Sequence, residues 1–317
     1  MKKYSAAIIG CGNVAGMYGG MDNRIIQSHA QAYTSNPRTD LLAVFDPIKS
    51  NLSSFCKKWN VDNQYLSLES MLDNHDIDII SICSPTDYHY EQFQVLAGSS
   101  ISAIFAEKPL SNDLDQSKKI IDLTKNIPVA INYFRRWNHE FSMLKNSLNK
   151  GQYGDVKKVM AQYTKGIKNN GSHLLDVLHW FFDELKFHNN NNKYDVIDND
   201  QGIDCNLSFN NNIPIIFSHI PNVDYVYIEL DFICEKGLIK ITQRGQKIEI
   251  YIKEQDPDYL VFNKLSLAEE IVTNWNNCFF NAVNNIIANL EGNEAILCTP
   301  EDAYKSSLLC EQIIASN

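Results

Sequence analysis

The chain has 317 residues, with 28 Lys+Arg against 38 Asp+Glu, a formal net charge of −10 and a hydrophobic content of 44%. That length suits two domains, and that much apolar material buries a sizeable core, which excludes disorder as the dominant state. So acidic a chain lacks the basic surface that phosphate backbones and anionic membranes require, and neither nucleic acid nor membrane is expected as a partner.

The opening residues, Met1 to Gly10, pair two lysines with a short apolar stretch. Gly10 to Gly16 interrupts that stretch before the apolar core of a signal peptide can form, so a cytoplasmic protein is expected. The eight cysteines (11, 56, 83, 205, 234, 278, 298 and 310) are scattered without a C-x-x-C pair. They are expected to be reduced, mostly buried thiols, with no disulfide framework and no metal site.

Up to residue 132, short apolar runs alternate with helix-like stretches. Tyr4 to Ile9, Leu41 to Phe45, Ile77 to Cys83, Ile101 to Ala106 and Val129 to Ile131 are strands that suit burial on both faces. Ser28 to Ser35, Ile48 to Trp59, Asp87 to Leu96 and Asn112 to Lys125 are the helices between them. This alternation predicts an α/β, doubly wound parallel sheet over 1–132. From 133 to 317 the pattern changes to an α+β domain for substrate binding and oligomerisation. Phe141 to Lys150 reads as a helix, Val156 to Tyr163 as a strand and Ser172 to Phe182 as an apolar helix. Lys186 to Asp200, with four consecutive asparagines, reads as a surface loop. Gly202 to Lys253 holds successive strands with turns at Asn210-Asn211-Asn212, Glu235-Lys236-Gly237 and Arg244-Gly245, an open and mostly antiparallel sheet. Two helices close the chain. One spans about Ser266 to Glu291; the other opens at Thr299-Pro300-Glu301-Asp302 and is expected to pack back on the first domain.

Gly10-Cys11-Gly12-Asn13-Val14-Ala15-Gly16 follows the first strand and precedes a helix. Gly10 allows the tight turn, Gly12 lets a pyrophosphate approach the backbone, and Ala15 suits close packing of helix and strand. Gly10, Gly12, Asn13 and Val14 are therefore candidate cofactor contacts. The second strand ends at Asp46, an acid placed to accept the adenosine ribose hydroxyls and to repel a 2′-phosphate, so NAD is favoured over NADP. Asp46 lies 30 residues after Gly16 (46 − 16), with the extra length assigned to a loop over Met17 to Gln27. A second reading, in which Asp46 only caps the next helix, stays open.

Two further strand ends carry chemistry. One is Ser84-Pro85-Thr86 with His89; the other is Glu107-Lys108-Pro109. Both fall at the carboxyl edge of the sheet, where open α/β folds bind ligands. Pro109 restricts the backbone of Lys108, and a partly desolvated lysine can exchange a proton with a hydroxyl. The blander reading of Glu107-Lys108 is a solvated ion pair.

With these pieces, Asn132-Tyr133-Phe134-Arg135-Arg136-Trp137 and Asn169-Asn170-Gly171-Ser172-His173-Leu174-Leu175-Asp176, nearly the whole chain resembles the glucose–fructose oxidoreductase / inositol dehydrogenase (Gfo/Idh/MocA) family. The resemblance implies an NAD(P)-dependent dehydrogenase acting on CH–OH groups of a sugar, cyclitol or nucleotide-linked sugar. It implies that Lys108 lies near the nicotinamide and that His173 is a general acid/base. It further implies cofactor contacts from Ser84, Thr86, His89, Glu107 and Lys108. Many members carry an Asp four residues before this His; here Asn169 stands there, so proton transfer falls on Lys108 and His173. The Asn-Gly-Ser-His version is similar to members from surface-polysaccharide and nucleotide-sugar pathways. Asn169, Asn170 and Asp176 are candidate substrate residues, Asp176 lying beside His173 on a helix. Arg135 and Arg136 either bind a substrate anion or stitch the domains together. A homodimer or homotetramer through the C-terminal sheet is expected. Two rivals remain: a free-sugar or inositol dehydrogenase, and a catalytically silent NAD-bound sugar sensor.

Overall fold

The two hydrophobic grammars produce two kinds of sheet. In the computed structural model, which describes residues 2–18, 25–197, 200–210 and 212–316, the elements follow in this order. The first are β1 (Tyr4–Ile9), α1 (His29–Ser35), β2 (Thr39–Phe45), α2 (Lys49–Trp59), β3 (Asn63–Tyr65), α3 (Leu68–Asn74) and β4 (Ile79–Ile82). Then come α4 (His89–Ala97), β5 (Ala103–Ala106), α5 (Leu114–Thr124), β6 (Val129–Ile131), α6 (His139–Asn149), β7 (Val156–Tyr163), α7 (Ser172–Phe182) and β8 (Leu185–Ile197). The chain ends with β9 (Asp200–Phe209), β10 (Ile213–His219), β11 (Ile228–Cys234), β12 (Gly237–Thr242), β13 (Lys247–Gln255), β14 (Asn263–Val272), α8 (Cys278–Leu290) and α9 (Pro300–Ala315).

The chain divides into two compact units: Met1–Trp137 with Asn276–Tyr304, and Asn138–Trp275 with Lys305–Asn317. The first unit holds a parallel sheet in the order β3-β2-β1-β4-β5-β6. This is the dinucleotide-fold order, with its switch point between β1 and β4. β4, β5 and β6 are buried at every position, as strands covered on both faces must be. The division at residue 132 read from the sequence leaves out the return segment 276–304. Phe279, Ala282, Val283, Ile286 and Ile287 of that segment complete the first core. α9 begins in this unit and continues in the second.

The second unit holds an eight-stranded sheet in the order β14-β13-β12-β11-β7-β10-β9-β8. Among the described residues, only β7 and β10 of this sheet pair in parallel. Burial alternates along β11 and β12, so one face carries the core. There Val159, Leu230, Phe232 and Ile239 join Phe141 and Leu144 of α6, Leu174, Leu178 and Phe181 of α7 and Ile313 of α9.

Three sequence readings change. β3 and α3 were not foreseen. The polar stretch from Lys186 is an edge strand, not a loop: its backbone pairs with β9, and its amides find side-chain work, Asn190 Nδ2 donating to Ile313 O and Asn206 Nδ2 to Asn191 Oδ1. Apart from Leu185 and Phe187, which pack against the second core, this edge strand shows no apolar alternation to read. The helix expected over Ser266 to Glu291 is instead β14 followed by α8. Leu267, Ala268 and Glu269 suit a helix, but pairing with β13 overrides that propensity. After the glycine turn comes a five-residue π-turn, Asn13–Met17, and α1 starts at His29, where the first helix was expected. Of the loop expected over Met17 to Gln27, residues 19–24 lie outside the described residues, as does Asn211 of one expected turn.

Phe232 is fully buried and stacks on Phe181, ring centroids 5.6 Å apart. Phe232→Ala is expected to destabilise the protein by about 3–5 kcal/mol. A lowered urea midpoint checks it; an unchanged midpoint contradicts this account of the second core.

Candidate active site

Main-chain hydrogen bonds gather the strand ends of the first unit. Gly10 N donates to Phe45 O (2.7 Å), Cys83 N to Ile9 O (2.8 Å), Glu107 N to Ile82 O (2.9 Å) and Asn132 N to Ala106 O (2.8 Å). The glycine turn, Asp46, Ser84 to Thr86 and Glu107-Lys108 thus share one sheet edge. Gly10 has φ +85°, and a Cβ there would lie 2.7 Å from Ser84 N. Only glycine lets the turn pass so close to the end of β4. A Cβ at Gly12 meets nothing within 4 Å, so the backbone there is open to an approaching phosphate. At Gly16 a Cβ would strike the Trp59 indole, whose Nε1 donates to Gly16 O (3.2 Å) beside Lys58 Nζ (2.7 Å). The turn is therefore clamped from behind and open in front, and these residues fit a dinucleotide.

Asp46 is buried and its oxygens are engaged. Oδ2 accepts from Cys11 N (2.8 Å), Oδ1 from Ile48 N (2.8 Å), and Asn51 Nδ2 reaches both at 3.3 Å. It braces the turn that leads into α2 and the glycine turn, which leaves little accepting capacity for a ribose. Cys11 is buried beside it; desolvation, then the Asp46 charge, pushes its thiol far above the usual range.

Glu107 heads a buried polar chain. Its Oε1 receives Asn132 Nδ2 (2.6 Å) and faces His29 Nε2 (3.0 Å). His29 Nδ1 lies 2.8 Å from Ser81 Oγ, which lies 2.7 Å from Tyr33 Oη. Burial by itself would raise the Glu107 carboxyl; hydrogen bonding and charge from His29, then Asn132 and the Lys108 ammonium, bring it below the usual range. His29, Ser81, Tyr33 and Asn132 were not predicted as site residues. A histidine opening an apolar helix carries no signal of its own.

Lys108 is half-buried at the end of this strand. His89 is fully buried and bridges two loops, Nδ1 to Pro109 O (3.0 Å) and Nε2 to Ser84 O (3.1 Å). Burial pushes its pKa down against the pull of those carbonyls. Ser84 Oγ donates to Gln92 Oε1 (2.6 Å), and Thr86 opens a short 3-10 turn. Arg135 and Arg136 are both buried. Arg135 lies 4.9 Å from the Phe134 ring centroid, and Arg136 Nη1 pairs with Asp302 Oδ2 (3.1 Å) and Leu297 O (3.1 Å). Arg136 thereby ties the return segment 276–304 into its own unit.

In the second unit, Asn169, Asn170, His173 and Asp176 lie on one continuous turn and helix. Asn169 is exposed, His173 half-buried and Asp176 fully buried. Asn170 Nδ2 donates to Thr164 O (2.9 Å), closing the loop that leads into α7.

A strand order of 3-2-1-4-5-6 with an open glycine turn at its switch point defines a dinucleotide-binding domain. The family described as "Oxidoreductase family, NAD-binding Rossmann fold" (GFO_IDH_MocA) matches residues 4–132. Those residues are an NAD-binding Rossmann domain of the Gfo/Idh/MocA oxidoreductase family. Among curated relatives, the inositol 2-dehydrogenase of Rhizobium meliloti (strain 1021) is 26% identical over 174 residues, 52% of each chain. The match thus spans about half the length of that relative. Solved structures share the fold over nearly the whole chain. The WlbA dehydrogenase from Bordetella pertussis, in complex with NADH and UDP-GlcNAcA, has a TM-score of 0.79 at 15% identity and covers 99% of this chain and 95% of its own. The UDP-N-acetylglucosamine 3-dehydrogenase GnnA from Acidithiobacillus ferrooxidans has a TM-score of 0.74 at 15% identity, with 99% and 97% covered. Among the described residues, no helix is long and apolar enough to cross a membrane.

Glu107→Gln is expected to cost about 1–3 kcal/mol at pH 7. A folded pKa below the usual 4.5 makes the carboxylate stabilising above that value, and this contribution is lost as pH falls through the folded value. The gap between native and variant stability should therefore narrow below pH 4.5; urea titrations at pH 7 and 3.5 that give the same gap would contradict it.

Proposed function

We propose that this protein is an NAD-dependent oxidoreductase that moves a hydride between nicotinamide and a hydroxyl-bearing carbon of a sugar, with nucleotide-linked sugars as the substrate class. The observation that carries the reading is Lys108, half-buried at the end of β5 on the same sheet edge as the open glycine turn. NAD, when bound, supplies the hydride acceptor. Lys108, as the neutral amine after losing its own proton to solvent, takes the hydroxyl proton as the carbinol is oxidised and, as the ammonium, returns it in the reverse direction, and His173 assists as general acid/base. Gly10, Gly12, Asn13 and Val14 receive the pyrophosphate, and Ser84 and Thr86 border the cofactor. The buried Asp46 charge favours NAD over NADP by repelling a 2′-phosphate, whether or not it also reaches the ribose.

The nucleotide-sugar class is supported by the Asn-Gly-Ser-His sequence, by the UDP-GlcNAcA bound in one of the fold's neighbours and by the enzyme name of another. A free cyclitol or sugar is the second reading, favoured by the inositol dehydrogenase relative. Absorbance at 340 nm with UDP-sugars against free sugars and inositols separates them; no change with any of these would favour a silent sensor. Lys108→Ala should leave NAD binding nearly intact and cut turnover by about 10²-fold or more. Unchanged turnover would remove Lys108 from the mechanism.

A homodimer or homotetramer through the second sheet belongs to the same reading. Supporting it, the hairpin between β13 and β14 exposes Tyr259 at 66%, Val261 at 86% and Phe262 at 64%. Analytical ultracentrifugation that finds only monomer at micromolar concentration would contradict it.

A further inference from the structure

A helix leaves its first amides without partners inside the helix, and a side chain at the N-cap normally supplies the missing acceptor. The π-turn Ile167–Gly171 runs straight into α7, so the two form one continuous helical segment with Gly166 at its N-cap position. Gly166 has no side chain to cap with. Its carbonyl oxygen accepts Asn170 N (3.1 Å) and Gly171 N (3.2 Å). The two earlier amides go elsewhere: Lys168 N donates to Asp200 Oδ1 (3.0 Å) and Asn169 N to Asp200 Oδ2 (2.8 Å).

Asp200 starts β9, more than 30 residues further along the chain, and its carboxylate caps this helix from outside. The cap explains the glycine: a Cβ on Gly166 would overlap the Asp200 carboxyl group. Nearby bonds close the same turn. Asn170 Nδ2 donates to Thr164 O, and Ser172 Oγ to Asn169 O (3.0 Å). Every amide from 168 to 171 is thereby assigned, and the next turn carries His173.

We propose that Asp200 is a positioning residue for His173: a remote N-cap that fixes where α7 begins and so where the imidazole stands. Its kinetic consequence rests on the hydride-transfer reading above; its structural consequence does not. Asp200→Asn retains one accepting oxygen for two N–H donors, and Gly166→Ala displaces the carboxylate without removing it.

The test uses the full chain, labelled for NMR. In both variants the Lys168 or Asn169 amide should exchange with solvent at least tenfold faster. The His173 ring titration should move from its native midpoint, while far-UV circular dichroism stays native. kcat for the sugar substrate should fall about tenfold or more, with the NADH dissociation constant unchanged. Native exchange at both amides overturns the cap. Faster exchange with an unmoved His173 titration overturns the positioning role. Should the native protein turn over no sugar at all, the hydride-transfer reading falls, and exchange and titration still decide the cap. Should Asp200→Asn fail to fold, Gly166→Ala carries the same readouts.

Discussion

A carboxylate at the inner end of β5 is tolerated only because two donors meet it there. Glu107 would be driven toward its neutral form by burial alone, and the His29 and Asn132 contacts reverse that. The arrangement has a geometric result. Asn132 follows β6, His29 opens α1 and Glu107 ends β5, so a single charge ties three elements of the first unit together. Lys108 is the next residue along the chain. Its backbone starts from a point fixed on one side by this network, and its ammonium in turn helps to hold Glu107 ionised. A lysine placed this way differs from one in a solvated ion pair, because its partner is anchored before it arrives.

The same logic recasts the two other acids of interest. Asp46 and Asp200 each give both carboxylate oxygens to main-chain amides. Asp46 holds the glycine turn against the start of α2; Asp200 holds the turn before α7. Neither needs a ligand to be satisfied, and both stand behind loops that present other groups. In each unit, acids act as backbone fasteners, while the residues proposed to touch substrate, Lys108 and His173, are half-buried side chains carried by the fastened segments.

What the sequence disclosed follows from which forces leave a periodic trace. Strands buried on both faces leave short apolar runs, so β1, β2, β4, β5 and β6 were all legible. Val156–Tyr163 and Ser172–Phe182 were legible to the residue, because one strand and one helix bury an apolar face there. β8 and β14 left no such trace. Both are edge strands, and the charged pairs of β14 with β13, such as Lys247 with Glu270, look equally at home on a helix. Local motifs such as the glycine turn and Glu-Lys-Pro were visible, as was the Thr299 cap, where Asp302 Oδ2 accepts Thr299 N at 3.0 Å. Partners far apart in the chain were not: His29 to Glu107 spans 78 residues and Asp200 to Asn169 spans 31.

Glycines show the same limit from the other side. Gly10 belongs to a recognisable motif, and its positive φ and the closeness of Ser84 account for it. Gly166 and Gly202 belong to no such motif, and the motif that holds Gly16 does not say what lies against it. Each is a glycine because something from elsewhere in its own unit occupies the space of a side chain: the Trp59 indole, the Asp200 carboxyl and the His219 ring. A sequence records that a side chain is missing without recording what fills its place. At Gly16 the filler clamps the cofactor turn and at Gly166 it caps the helix of His173, so the residues that shape both halves of the chemistry are known only through the gaps left for them.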